Sequence, residues 1–390
     1  MEIVHVYPFY NRLGGVEKYL LDTLPLQVKL GRSIRLVGAE FDHDVKRAYT
    51  CEKVPYFIRF PRALTSFVFA IAAEVTLRRL RNNRGRVMLV HSEGASCLSP
   101  DIVTAHSVHK AWFTRSLREL KPFTWPWWRK LLNPVHHLTI FIETIQYRFQ
   151  KNTHVIAISD SIRRELHEFY GISDKRISVI HSGVDCEKYT PEKKDVYRGP
   201  IRGRLGLNDS DIVLLFVANE FRRKGLNCLI SALKTLTAPN LKLVVLGKDN
   251  PVPYKELVLG LGLQDQVIFA GATPDVDQYY AAADIFVFPT TYEPFGLVAT
   301  EALAAGLPVI TSKLAGASEI MTHGEDSLLV NDPNSSEELA LALKTLLDSN
   351  TRNRMGQRAR QTALANRWDA VVGKIESVYL ELESKNQASV

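Results

Sequence analysis

No uncharged run in this sequence approaches the roughly 20 apolar residues that a membrane-crossing helix needs, and there is no internal repeat or low-complexity stretch. Cysteine is scarce: Cys51, Cys97, Cys186 and Cys228 lie far apart and never in CxxC spacing. A disulfide framework and a cysteine zinc site are thereby excluded, and the thiols read as buried groups in a reducing compartment. A GxGxxG fingerprint is missing, so a dinucleotide site of that type is not expected. No nucleic-acid-binding motif appears, so nucleic acid is not an expected partner. Met1-Glu2-Ile3-Val4-His5-Val6-Tyr7 reads as a first β-strand rather than a signal peptide. What is present is 390 residues, 46% hydrophobic and 23% charged. That is a globular chain long enough for two domains, each with its own core.

The net charge of +7 is uneven, with 27 Lys and Arg against 17 Asp and Glu in residues 1–185, an excess of ten cations. A basic first half suggests an anionic partner there. Short apolar runs alternate with helical periods along the whole chain, which predicts an α/β protein. Ile3–Tyr7, Ile34–Gly38, Val87–His91, Val103–Ala105, Thr153–Ile158 and Ile177–Ile180 read as strands of a first domain over 1–183. His181-Ser182-Gly183-Val184-Asp185 opens a charged stretch expected to be an irregular linker over 184–205. A second α/β domain is expected over 206–367, and a last helix over 368–390, running from Trp368 to about Ser384.

The segment Tyr292-Glu293-Pro294-Phe295-Gly296-Leu297-Val298-Ala299-Thr300-Glu301 carries the most chemistry. A strand, Asp284–Pro289, precedes it, and Gly306-Leu307-Pro308 closes a helix before the strand Val309–Thr311. Ligands of such βαβ units sit at the carboxyl ends of the strands. The backbone N–H groups of Gly296, Leu297 and Val298 at the helix start would attract an anion, most simply a diphosphate, and Gly296 lets it approach closely. Glu301, more than a turn into the helix, is placed for a ribose diol. Glu293, in the loop on the other side of the anion, is placed for the hydroxyls of a sugar. A second loop, Asn219-Glu220-Phe221-Arg222-Arg223-Lys224-Gly225, follows the strand Ile212–Ala218. Its three consecutive cations can neutralise a diphosphate.

These motifs resemble the family 4 glycosyltransferases, retaining enzymes of the GT-B fold. The match rests on the E-x7-E pattern Glu293 to Glu301 in its E-P-F-G-L-V-x-x-E-A-x-A-x-G-x-P-V context, on Arg223-Lys224-Gly225, and on Trp368-Asp369 at the start of the last helix. The chain departs from the family at Ala218-Asn219, where G-R is commoner, and has His-Ser before Gly183-Val184-Asp185 where Pro-Asn is usual. The shorter R-K-G form is that of the bacterial lipopolysaccharide core glucosyltransferases. The resemblance implies two Rossmann-like, doubly wound domains facing a central cleft, the first binding the acceptor and the second a nucleotide diphosphate-sugar, a UDP-sugar, in place of any bound cofactor. It assigns Phe295 and the 296–298 helix start to the donor, and Gly14-Gly15, after the first strand, to the donor-facing side of the first domain. It also places a histidine near the donor sugar at the strand end Val103-Thr104-Ala105-His106. His109 competes with His106 for that assignment. His106, Glu293, Arg223 and Lys224 are the expected catalytic set.

No carboxylate in the first half is an obvious nucleophile, so the resemblance favours front-face attack assisted by the departing phosphate. Metal is not expected. The DxD-like strings Asp42-His43-Asp44, in a polar loop, and Asp275-Val276-Asp277, at a helix start, read as structural. A nucleotide-sugar epimerase or hydrolase of the same fold, or a catalytically silent sugar-nucleotide-binding protein, would carry the same donor residues.

Four of the five tryptophans lie between Lys110 and Arg148, interleaved with cations, as in Phe123-Thr124-Trp125-Pro126-Trp127-Trp128-Arg129-Lys130. Ala63–Arg86 is an apolar helix pattern ending in Arg78-Arg79-Leu80-Arg81-Asn82-Asn83-Arg84-Gly85-Arg86. Tryptophan with cations suits a lipid headgroup interface. The expected setting is cytoplasmic, peripheral at the inner face of an anionic membrane, with a glycan or glycolipid acceptor.

Overall fold

A computed structural model describes residues 1–11, 14–55, 62–84, 88–236 and 238–388. The chain divides into two compact units, one of Met1–His181 with Val371–Val390 and one of Ser182–Ala370.

In the first unit, strands β1 (Glu2–Val6), β2 (Ser33–Gly38), β3 (Thr50–Lys53), β4 (Met88–Glu93), β5 (Ile102–Ala105), β6 (His154–Ala157) and β7 (Ile177–Val179) form a seven-stranded sheet. Its order is β3-β2-β1-β4-β5-β6-β7, and every pairing is parallel. Such a sheet is covered on both faces, so its strands carry near-continuous apolar runs. Ile3, Val4, Val6, Leu36, Val37, Val90, Ile102, Val103, Val155 and Ile156 are accordingly buried. The expected strand at 87–91 is observed from Met88 and runs on to Glu93, and Val87 lies outside the described residues. The helices around it include α1 (Gly15–Lys29), α2 (Arg62–Arg84), α3 (His109–Arg118), α4 (Trp125–Leu131), α5 (Pro134–Thr144) and α6 (Asp160–Tyr170). The Ser159 hydroxyl accepts from the Ile162 N–H and caps α6. The final helix runs Trp368–Ala388, longer than its expected end at Ser384. From Val371 it belongs to the first unit, where Arg32 donates to Glu376 at 2.9 Å and Tyr379 is buried.

In the second unit, β8 (Ile212–Val217), β9 (Leu241–Leu246), β10 (Val267–Gly271), β11 (Ile285–Phe288), β12 (Val309–Ser312) and β13 (Ser327–Val330) form a six-stranded sheet, order β10-β9-β8-β11-β12-β13, again wholly parallel. The chain leaves β8 in one direction and β11 in the other. Their carboxyl ends therefore flank the switch point where open α/β sheets bind ligands. In the first unit β1 and β4 hold the equivalent place.

Residues 184–205 are not an irregular linker. They contain a 3₁₀ turn (Pro191–Lys193) and a twelve-residue helix, α7 (Lys194–Leu205), within the second unit. Pro200 and two glycines mask its period in the sequence, but its cations have fixed partners. Arg202, 1% exposed, donates to Asp284 at 2.7 Å and to the carbonyl oxygens of Ala282 and Asn208, and Arg198 donates to the same carboxylate.

Candidate functional site

The loop after β8 and the loop after β11 are joined by backbone contacts. Gly225 takes φ +82°, and a side chain there would put its Cβ 2.2 Å from the Pro289 carbonyl oxygen. The Thr291 N–H donates to the Arg223 carbonyl at 3.0 Å. The second loop is tied in turn to 315–317, through Gly316 N–H to Glu293 O (3.0 Å) and Ala317 N–H to Phe295 O (2.7 Å). This lattice fixes the polar side chains at the strand ends. Lys224, 6% exposed, donates its Nζ to the Glu293 carboxylate and lies over the Phe288 ring. Burial, helped by the Arg223 charge, pulls the Lys224 ammonium well below its ordinary proton affinity, while Glu220 opposes the shift. The Glu293 contact also favours the charged form. Arg223 donates to the Tyr292 carbonyl and to Glu220 at 2.8 Å, whereas Arg222 is exposed. Of the three expected cations, Lys224 is thus the one held against the E-x7-E loop by an ion pair.

Helix α8 (Leu226–Thr235) starts at Gly225 and helix α9 (Leu297–Ala304) at Gly296, which has φ +102° and offers no side-chain cap. In the first turn of α9 the Ala299 N–H donates to the Gly296 carbonyl at 2.9 Å, while the N–H groups of Leu297 and Val298 have no acceptor within the helix and favour an anion. Glu301 is 6% exposed, and the Tyr280 hydroxyl donates to it at 3.0 Å. Tyr280 was not among the expected residues. An aromatic just before a core strand gives no sign of its partner, a carboxylate 21 residues on.

In the first unit the carboxyl ends of β1, β4 and β5 carry His5, His91, Glu93 and, just beyond β5, His106. Glu93 is buried, and His106 Nε2 stands 2.8 Å from its Oε2. His106 also meets the edge of Tyr19, ring centroids 4.8 Å apart. His109 lies elsewhere: its Nε2 is 3.0 Å from His136 Nδ1, and burial pushes its imidazole down to about 4. His106 therefore occupies the strand-end position. The sequence reading missed His5, His91 and Glu93. The available signal was a polar residue inside an otherwise apolar parallel strand, since burying such a group is costly without a partner. Gly14 caps α1 and Gly15 is its first residue, with open space where a Cβ would be; Arg12 and Leu13 lie outside the described residues.

Both DxD-like strings sit at helix starts. Asp42 precedes the short helix His43–Ala48, so it is at a cap rather than in a plain loop, and Asp275 precedes Val276–Ala282, whose Asp277 pairs with Lys193.

Residues 13–188 match the family model "Glycosyltransferase Family 4", and residues 198–362 match "Glycosyl transferases group 1". Between them the two glycosyltransferase models span most of the chain, and its fold is GT-B. It is 28% identical to lipopolysaccharide glucosyltransferase WaaG of Escherichia coli strain K12, over 60% of this chain and 63% of that protein. Identity with the D-inositol 3-phosphate glycosyltransferase of Corynebacterium glutamicum is 34%, over 58% of this chain and 57% of the relative. These sequence matches span less than two thirds of the relatives' length. The fold extends further. The crystal structure of WaaG superposes with a TM-score of 0.79 at 22% identity, covering 96% of this chain and 99% of that one. Anabaena HepE, solved in complex with UDP-glucose, gives 0.71 at 20% identity over 98% and 100%. No described helix of this chain is long and apolar enough to cross a membrane.

Proposed function

We propose that this chain is a retaining hexosyltransferase that takes its sugar from a nucleotide diphosphate-sugar, a UDP-sugar, and delivers it to a glycan or glycolipid acceptor in cell-surface polysaccharide or lipopolysaccharide assembly. The observation that carries the reading is the joined pair of strand-end loops in the second unit. They set Lys224, Glu293, Glu301 and the uncapped start of α9 on one scaffold at the switch point. In that reading the diphosphate lies on the α9 N-terminus and on Lys224, and the ribose diol on Glu301. Glu293 exchanges its Lys224 contact for a sugar hydroxyl. Lys224 and Arg223 then oppose the negative charge that develops as the diphosphate leaves. The acceptor belongs to the first unit. The similarity to WaaG and the UDP-glucose complex of HepE support the choice of donor and pathway by analogy.

The membrane reading has structural support in α4. None of its residues is buried, and Phe123 (76%), Trp125 (77%) and Leu132 (70%) are among the most exposed large apolar side chains. Cavities of ≈330 and ≈310 Å³ flank it, the first lined by Trp125, Arg129 and Lys130 and the second by Phe113, Leu117 and Trp127. The basic end of α2 is less available. Arg78 pairs with Glu74, Arg79 with Glu52 and Arg81 with Asp101, and Gly85 and Arg86 lie outside the described residues. We assign the protein to the cytoplasmic membrane's inner face through α4.

The reading is tested by incubating the protein with a panel of nucleotide diphosphate-sugars and a lipid-linked acceptor extract, with mass analysis of products. An acceptor gaining one hexose together with release of nucleotide diphosphate is the expected result. Free sugar or an isomerised donor without any acceptor would instead identify an epimerase or hydrolase.

A further inference from the structure

The carboxyl ends of β1, β4 and β5 bury a network that the donor chemistry above does not use. Glu93 is fully buried at the end of β4, and among the described residues it has no Lys or Arg partner. Three imidazoles surround it instead, and they are not equivalent. His91 is committed on both nitrogens, Nδ1 to the Tyr379 hydroxyl and Nε2 to Thr104 Oγ1, each at 2.7 Å. Burial pushes His91 down to about 3, so it is neutral near pH 7. His5 holds Gln27 Oε1 with its Nε2 at 2.9 Å, and its Nδ1 stands 3.5 Å from Glu93 Oε1, too far for a strong bond. Only His106 makes a short contact, Nε2 to Oε2 at 2.8 Å. Burial opposes ionisation of Glu93, but the surrounding imidazoles outweigh it and hold the carboxyl below its ordinary range. Of the three imidazole contacts to Glu93, that of His106 is the shortest.

We propose that Glu93 is the positioning residue of His106: by accepting the Nε2 proton it locks one tautomer and leaves Nδ1 as a hydrogen-bond acceptor for a ligand hydroxyl. The inference rests on the reading of His106 as a sugar-contacting residue. An ionised carboxylate only accepts, so the ring nitrogen facing it must carry the proton, and the other nitrogen of a neutral imidazole is then a lone pair. Tyr19, packed edge-on against the ring, opposes a flip. The burial gradient points the same way, since the Glu93 side chain is 0% exposed and that of His106 14%. His5, His91 and Glu93 also place three donor atoms within 4.8 Å of one another, as a cation would require. Both His91 nitrogens are already bonded, to Tyr379 and Thr104, which favours the hydrogen-bond network over a cage.

Nitrogen-15 NMR of histidine-labelled protein reads the tautomer directly, with His106→Gln assigning the signal. The wild type should show His106 protonated at Nε2 and unprotonated at Nδ1. Glu93→Leu, similar in size and without an acceptor, should lose that fixed tautomer. It should also lower kcat by about 10- to 100-fold, the range met when the outer partner of a metal-binding histidine is removed, with the donor KM much less affected. Glu93→Asp should restore part of both. A wild-type Nδ1–H tautomer would overturn the proposal, and that readout needs no variant to fold. An unchanged tautomer in Glu93→Leu would overturn it equally. If the tautomer behaves as stated but His106→Gln transfers sugar normally, the ligand role of His106 fails while the donor reading of the second unit stands.

Discussion

Lys224 and Glu293 neutralise each other in a buried contact, so neither is a spectator charge on a solvated loop. Removing the lysine strips a cation from the place where diphosphate charge would develop and leaves a half-buried carboxylate unbalanced. Lys224→Ala should lower kcat/KM for transfer by about 2–4 kcal/mol of transition-state stabilisation, with the circular dichroism of the folded protein retained. A value within threefold of wild type would remove Lys224 from the mechanism. Gly296 is constrained in another way. Its φ of +102° disfavours any side chain, and an added Cβ would sit 3.1 Å from Glu293 Cγ. Gly296→Ala should therefore destabilise the protein by about 1–2 kcal/mol in denaturant unfolding and displace Glu293. Unaltered stability would show that the loop relaxes freely. At this scale the sequence was legible where local spacing fixes the backbone, as with Gly296 at the start of α9. It was opaque where the meaning comes from a partner distant in sequence, as with Glu93 and His106 or Tyr280 and Glu301.

Elements were easiest to read where they are buried parallel strands, because covering both faces leaves an apolar run that periodicity finds. Helix α7 shows the limit. Lys194–Leu205 carries Pro200 and two glycines, so local propensity argues against a helix, yet Arg198 and Arg202 anchor it on Asp284. Tertiary contacts override propensity there. Helix α4 is the reverse case, an element with no buried face. Its exposed Trp125 and Trp128, beside Arg129 and Lys130, make it the segment expected to meet lipid headgroups. Each cation close to an anionic bilayer contributes about 1 kcal/mol, and screening limits its reach to about 10 Å at 0.1 M salt. The protein should co-sediment with vesicles containing anionic lipid but not with neutral vesicles. Attachment should weaken as salt rises, and further in the Arg129→Glu/Lys130→Glu double variant. Equal, poor retention by both vesicle types at low salt would return the tryptophans to a soluble acceptor or to packing.

Across the whole molecule, two parallel sheets of seven and six strands each place polar side chains at a switch point, the geometry expected of two ligand-binding α/β units. In the second unit the expected anion contacts are an ammonium, a guanidinium and a helix start, which handle diphosphate charge without a divalent ion. Activity should accordingly survive EDTA. Loss that Mg²⁺ or Mn²⁺ restores would reinstate Asp42 and Asp44, or Asp275 and Asp277, as ligands. The central claim is that the second unit binds a nucleotide diphosphate through the E-x7-E loop and α9. Calorimetric titration of UDP and the other nucleoside diphosphates into wild type and Glu301→Ala tests it most directly. Ribose contacts act on ground and transition states alike, so their loss appears in binding. The account predicts saturable one-to-one binding of at least one diphosphate, UDP first among them, and clear weakening in Glu301→Ala. Absence of binding by every nucleoside diphosphate, or equal affinity in the two proteins, would contradict it.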